Sequence, residues 1–336
     1  MENILAIDGS QGEGGGQILR TSLALSAITG RPIRIEKIRA GREVPGLRRQ
    51  HLTCVRAAAA ICSATVSEID VGASELTFRP GPIRGGDYRF DVGTAGAATL
   101  VAQTVLPALL KADAPSSVTI TGGTHVPFAP IWEFFAETFL PELRRMGAEV
   151  EAELPGYGFN PAAGGEIRLS IKPFDEAKAN RDWSMTKLGS YCGGKAVGVV
   201  SSIPLAIAKD ETERIAHRLW EIDLAQEVRE VESPGPGNYC YVRLDFDRAS
   251  VVFSGIGTWG RSRKAVANGV VVAVSHFTEA VKAGAAVERH LADQLLVPLA
   301  VLLGRHGGSP EELGMTIEKE TLHYKTNMEV IGRFLC

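Results

Sequence analysis

His323 stands in Thr321-Leu-His-Tyr-Lys-Thr-Asn327 with Lys325, Thr326 and Asn327 close by as hydrogen-bond donors. An imidazole is a competent nucleophile near neutral pH because its ordinary pKa is about 6.5. The alternative is a structural histidine; its setting between two extended, half-buried runs, with those donors close by, favours the catalytic reading. A carboxylate, Glu13, lies in the glycine loop Gly9-Ser-Gln-Gly-Glu-Gly-Gly-Gly16, where it costs little sterically and suits Mg²⁺. Arg39 and Arg42 can aim two planar forks at phosphate, with Gln50 and His51 at the next helix start. Asp293 precedes a nearly all-apolar helix, either capping it or accepting hydrogen bonds from a ribose or base.

The glycine loop sits between the buried strand Ile4-Leu-Ala-Ile7 and an apolar-periodic helix from Gln17 to about Ile28. Backbone N–H groups and a helix N-terminus make that an anion site in principle. It is neither a P-loop, lacking Gly-Lys-Ser/Thr, nor a dinucleotide fingerprint, because Leu19 stands where glycine or alanine belongs. A tight turn needing positive φ is the plainer reading. Tyr88–Val92, Gly93-Thr-Ala-Gly96 and a helix from Ala97 to about Leu110 repeat the same grammar. This predicts an internal duplication of a strand, glycine-turn, helix unit. A helix over Ile131–Met146 and strands near Glu149–Glu153 and Glu166–Ile171 continue it, which makes the chain α/β (α+β). A charged helix is expected from Glu211 to about Ala225, then strands over Tyr239–Phe246 and Ser250–Ser254 and a helix from about Arg263 to Lys282. Residues 184–276 break the glycine-turn grammar and read as an inserted module.

Composition bounds the rest. Of 336 residues, 45% are hydrophobic and 22% charged, so disorder is excluded as the main state. The apolar stretch Leu295–Leu303 is about half of a bilayer span, and no basic-then-apolar leader opens the chain. Five cysteines, never spaced as CxxC, argue against a disulfide framework or a structural zinc site and suit a reducing cytoplasm. The seven histidines are dispersed, so a histidine-rich metal cage is not expected. Net charge is −3, yet residues 31–56 hold eight basic side chains (Arg31, Arg34, Lys37, Arg39, Arg42, Arg48, Arg49 and Arg56) against Glu36 and Glu43. That is either a polyanion patch or a solvated face.

Taken in order, Asp8-Gly-x-Gln-Gly-Glu-Gly-Gly-Gly-Gln-Ile-Leu-Arg20, Arg39-Ala-Gly-Arg42 with Pro45-Gly46-Leu-x-x-Gln50-His51, Gly93-x-Ala-Gly with Gln103-Thr-Val-Leu-Pro107, Gly122-Gly-Thr124, Gly235-Pro-Gly-Asn238, Leu291-Ala-Asp-Gln294 and His323-x-x-Thr-Asn327 resemble the RNA 3′-terminal phosphate cyclases. The resemblance runs almost end to end. It implies three βαβαββ units forming a large domain, residues 1–183 and 277–336, with a smaller α/β domain at 184–276. It further implies an ATP-dependent conversion of an RNA 3′-phosphate into a 2′,3′-cyclic phosphodiester, through a histidine–AMP and an RNA-adenylate. His323 matches the adenylylated nucleophile and Glu13 the metal-associated carboxylate, for Mg²⁺ or Mn²⁺. Arg20, Arg39 and Arg42 resemble phosphate-facing arginines, beside the polar Gln50 and His51. Gln103 and the stretch His290, Leu291, Ala292, Asp293 and Gln294 resemble the ATP site, with Pro130 near the adenine. One departure is His290, where bacterial relatives often carry a stacking tyrosine. The rival readings are a non-catalytic RNA-binding relative acting in rRNA processing or ribosome assembly, and an enolpyruvyl transferase, which needs six units and a longer chain. Retention of His323, Glu13 and Arg42 favours the enzyme. A homodimer is left open.

Overall fold

The structure is a computed structural model that describes residues 4–258 and 262–335. Three four-stranded sheets carry the chain. The first unit runs β1 (Leu5–Asp8), α1 (Gln17–Thr29), β2 (Ile33–Glu36), α2 (Arg49–Cys62), β3 (Thr65–Val66) and β4 (Leu76–Arg79). Its sheet has the order β1-β2-β4-β3, with β1 and β2 parallel and the other pairs antiparallel. The second unit is β5 (Asp87–Asp91), α3 (Ala98–Leu109), β6 (Ser116–Gly122), a long helical stretch, β7 (Val150–Gly156) and β8 (Gly165–Ile171). Its sheet, β5-β6-β8-β7, has the same directions. The duplication expected from the glycine turns is therefore present as a repeated βαβαββ topology.

The helical stretch of the second unit is not uniform. It opens as α4 (Trp132–Phe134), widens into a π turn (Phe135–Phe139) and closes as α5 (Leu140–Arg145). Pro141 has no N–H to offer the carbonyl of Glu137, which loosens the regular ladder there. In the same turn the Thr138 hydroxyl accepts from the N–H of Val252, and Arg243 donates to Glu137 at 3.0 Å. Both bonds tie this helix to the third sheet.

That sheet contains β9 (Tyr191–Ser201), β10 (Leu224–Glu230), β11 (Gly237–Phe246) and β12 (Ser250–Ile256), flanked by α6 (Ala206–Arg218) and α7 (Arg263–Lys282). Its order is β10-β9-β11-β12, again one parallel and two antiparallel pairs, but the first strand is now inside and the second at the edge. The expected helix from Glu211 to Ala225 starts earlier and stops at Arg218. Residues from Leu224 pair with Gly194–Val200 instead, because the tertiary partner overrides a local charge pattern that suits a helix equally well. A buried cluster joins this sheet to the second unit: His125 lies 3.0 Å from Glu133, and the hydroxyl of Tyr239 donates to Glu133 at 2.6 Å.

α8 (Arg289–Leu303) and α9 (Leu322–Leu335) complete the chain. Among the described residues the segments around them pair through the isolated bridges Met185–Met315 and Val287–Ile317. α9 packs on α1 and α8, and α1 and α8 pack on α3. Leu23, Val105, Leu295 and Ile331 are fully buried in this helical centre. Cys54, Cys62 and Cys192 are free thiols, while Cys336 lies outside the described residues. Among the described residues no helix is long and apolar enough to cross a membrane.

Candidate active site

Four helices present their first or second turns to one place. Gln17 opens α1, His51 is in the first turn of α2, Asp293 is in the second turn of α8, and His323 is in the first turn of α9. Two glycines make the approach of α1 and α2 possible. Gly14 has φ +54°, and a Cβ there would lie 2.6 Å from the backbone N of Gly41. A Cβ on Gly16 would lie 2.4 Å from Nε2 of His51. The loop can thus press against Arg39–Arg42 and α2 only because those side chains are missing. It serves both as a positive-φ turn and as a means of close approach.

His323 is not between extended runs, as expected from the sequence, but on a helix. The Thr321 hydroxyl accepts from the N–H of Tyr324 at 3.0 Å and caps α9, so the imidazole projects from a helix N-terminus. Its Nε2 stands 2.9 Å from Oε2 of Glu13, yet no hydrogen bond is aligned, and the atom is shielded from solvent. Its Nδ1 is 3.9 Å from Oδ2 of Asp293. Burial lowers the pKa of His323 against the opposing pull of Glu13, and the cations Arg20 and Arg42 lower it further. The ring is therefore held neutral with a free lone pair at neutral pH.

Asp293 does not cap α8. Glu288 does, accepting from the N–H groups of His290 and Leu291 at 2.8 and 3.0 Å. Asp293 instead accepts from Nε2 of Gln17 at 2.7 Å, and its backbone carbonyl accepts from Asn327, which in turn accepts from the Thr21 hydroxyl. Burial raises the Asp293 carboxyl to about 7. Gln17, Thr21 and Asn327 thus join α1, α8 and α9 around the histidine. Asn327 was expected as a donor near His323; Gln17 stands in a sequence motif, but nothing there assigned it a role.

The basic residues divide. Arg42 reaches Glu13 at 3.1 Å. The Arg20 side chain makes no hydrogen bond among the described residues and acts on His51, Asp293 and His323 through its charge. Arg39 is turned onto its own loop, donating to the carbonyls of Val44 and Gly46 at 2.8 Å, and so shapes the turn that carries Arg42. His51 is buried, and desolvation together with Arg20, Arg39, Arg48 and Arg42 pushes its pKa down to about 3. Its Nδ1 lies 3.3 Å from the backbone N–H of Arg48 and accepts from it, so Nε2 carries the proton and faces the glycine loop. The side chain of Gln50 accepts from the N–H of Ala97 at 2.7 Å and ties the two repeated units together.

Of the residues expected at the nucleotide, Gln103 on α3 donates to Gln294 on α8. The carbonyl of Pro130 accepts from the Thr99 hydroxyl, one turn earlier on α3. His290 projects from α8 with Nδ1 2.6 Å from Glu288, which raises its pKa. The side chains of Leu291 and Ala292 are fully buried, which places them in the core and leaves only their backbone near the helix start. Among the described residues no group of three or more His, Cys, Asp or Glu side chains forms a metal cage. Glu13 can therefore hold a cation only together with oxygen ligands from a bound molecule.

The family model described as RNA 3′-terminal phosphate cyclase matches residues 11–336. The chain belongs to this enzyme family. Proteins named RNA 3′-terminal phosphate cyclase are similar to it throughout: that of Koribacter versatilis is 44% identical over 99% of this chain and 90% of its own length. Those of Pseudomonas fluorescens and Salmonella typhimurium are 42% and 40% identical over 99% and 100% of this chain and 93% and 94% of theirs. As a cyclase-family member, the chain uses the α1, α2, α8 and α9 helix starts to gather its polar residues. The glycine loop carrying Glu13 lies inside the matched span.

Proposed function

We propose that this chain converts an RNA 3′-phosphate into a 2′,3′-cyclic phosphodiester at the expense of ATP, with His323 as the carrier of AMP. The observation that carries the reading is the setting of His323 Nε2: on a neutral ring, shielded from solvent, 2.9 Å from Oε2 of Glu13 and among the charges of Arg20 and Arg42. Nε2 attacks the α-phosphorus of ATP, a P–N bond forms, and pyrophosphate leaves. An oxygen of the RNA 3′-phosphate then displaces the imidazole, giving RNA joined to AMP. The adjacent 2′-hydroxyl attacks the RNA phosphorus, loses its proton and expels AMP. Only a ribose has that hydroxyl, which restricts the final step to RNA ends.

Arg20 and Arg42 supply the planar donors for non-bridging oxygens, and the Nε2–H of neutral His51 is a further donor. Glu13 would hold Mg²⁺ or Mn²⁺ together with the phosphates, and such a cation neutralises charge on the polyphosphate. Gln103, Gln294, Pro130 and His290 are assigned to the nucleoside, and an exposed imidazole at position 290 can stack on adenine. We place the boundary of an inserted module at residues 184–276, a reading supported by the permuted strand order of the third sheet.

The test is incubation with α-labelled ATP and a divalent cation, followed by a denaturing gel. A protein-bound label that is labile to acid and stable to alkali is the expected phosphoramidate. Absence of label together with retained RNA binding would favour the non-catalytic relative.

A further inference from the structure

The eight basic residues between positions 31 and 56 form one patch in the sequence and two sets in the structure. Arg31 donates to the carbonyls of Arg333 and Phe334, Arg34 pairs with Glu36 and Glu75, and Lys37 pairs with Asp8. Arg39 is held by its loop and Arg42 by Glu13. The last three, Arg48, Arg49 and Arg56, are exposed and, among the described residues, have no carboxylate partner. Charges kept in water without a partner contribute nothing to folding, so the fold itself does not explain them.

Their placement is directional. α2 begins at the site, where His51 lies against Gly16, and Arg48 is close enough to act on both His51 and Arg39. Arg49 and Arg56 are seven residues apart, hence on one face and about 10.5 Å apart along the axis. Thr53, between them on that side, is buried against the edge of β5, 3.5 Å from the carbonyl of Asp91. The carboxylate of Asp91 is already engaged by the N–H of Gly93 and the hydroxyl of Thr121. The arginines therefore line an open flank of α2 that leads away from His323, over a length matching roughly two or three phosphates of one strand.

We propose that Arg48, Arg49 and Arg56 form a track for the sugar–phosphate backbone of single-stranded RNA, holding the nucleotides that precede the reacting 3′ end. The proposal rests on the reading of this chain as an RNA-end enzyme. It adds that affinity depends on RNA length and is not confined to the terminal phosphate. Contacts of this kind read charge and not sequence.

The test compares wild type with Arg49→Ala, Arg56→Ala and the double variant, using fluorescence anisotropy on a labelled twelve-nucleotide RNA and a dinucleotide, both ending in a 3′-phosphate. The double variant should bind the long RNA about ten-fold more weakly at low salt. The slope of log K against log salt should fall by about 1.4, or ~0.7 for each lost phosphate contact to a single strand. Dinucleotide binding and labelling by α-labelled ATP should stay at wild-type levels, which also reports an intact fold. Arg49→Lys with Arg56→Lys should restore most of the affinity, since a point charge suffices at a phosphate. Unchanged affinity and salt slope for the long RNA would overturn the track and assign this flank to another partner, such as an acidic protein. Failure of wild type to take up label would count against the catalytic reading alone, because binding of the long RNA is read independently of turnover.

Discussion

Oε2 of Glu13 and Nε2 of His323 meet at 2.9 Å although they lie near opposite ends of the chain, and the contact is not aligned as a hydrogen bond. The carboxylate therefore covers Nε2 and is electrostatically coupled to the ring, whose pKa it raises. In the proposed reaction the Glu13 side chain must turn aside before a phosphorus atom can reach Nε2.

His323→Ala is expected to lower protein–AMP formation and RNA cyclisation by more than about a thousand-fold, as loss of a covalent nucleophile does. The side chain is partly exposed, so thermal stability should change little. Labelling by α-labelled ATP at near wild-type yield would remove His323 from the role. RNA supplied already joined to AMP should still close its ring in this variant, because the 2′-hydroxyl is held on the same ribose.

Glu13→Gln is expected to slow self-adenylylation about a hundred-fold and ring closure from pre-adenylylated RNA much less. It carries a second readout. Glu13 raises the pKa of His323, so its neutralisation should lower that pKa further below the ordinary histidine value, measurable by NMR titration of the ring. An unchanged His323 titration would show that the two groups are uncoupled in solution.

Arg42→Lys keeps the charge but loses the two-pronged fork, so cyclisation should fall about ten-fold or more. Equal rates for variant and wild type across salt concentrations would make Arg42 a solvated charge.

Asp293 and Glu211 are both raised to about 7 by burial, from ordinary values of 3.8 and 4.5. Between those limits these two carboxyls bind more protons in the folded state than in the unfolded chain, so their contribution to stability falls as pH rises through that window, against the smaller opposing contribution of His51 below its ordinary pKa. Urea unfolding should show lower stability at pH 8 than at pH 5. Asp293→Asn should flatten part of that slope, and Glu211→Gln another part. A slope identical to wild type in both variants would mean that neither carboxyl is protonated in the folded protein.

The repeated strand, glycine-turn, helix grammar was legible in the sequence because it is local: a buried strand, a loop that tolerates positive φ and an apolar-periodic helix need no distant partner. The motif residues Glu13, Arg42, Asp293 and His323 were legible as types. Their relation was not. Whether His323 lies in an extended run or on a helix turns on the Thr321 cap, a weak signal beside the mixed residues that follow. The segment after Arg218 became a strand because β9 offered it hydrogen bonds, which no neighbour in sequence reveals. Above all, the basic run from Arg31 to Arg56 is uniform as a string of charges. Only folding, which brings Glu13, Glu75 and the carbonyls of Gly46 and Phe334 to some of those arginines and leaves Arg48, Arg49 and Arg56 in water, sorts them into those with a protein partner and those without a carboxylate partner among the described residues. Charge belongs to a residue, whereas its neutralisation depends on distance, and distance across a chain is set by tertiary packing.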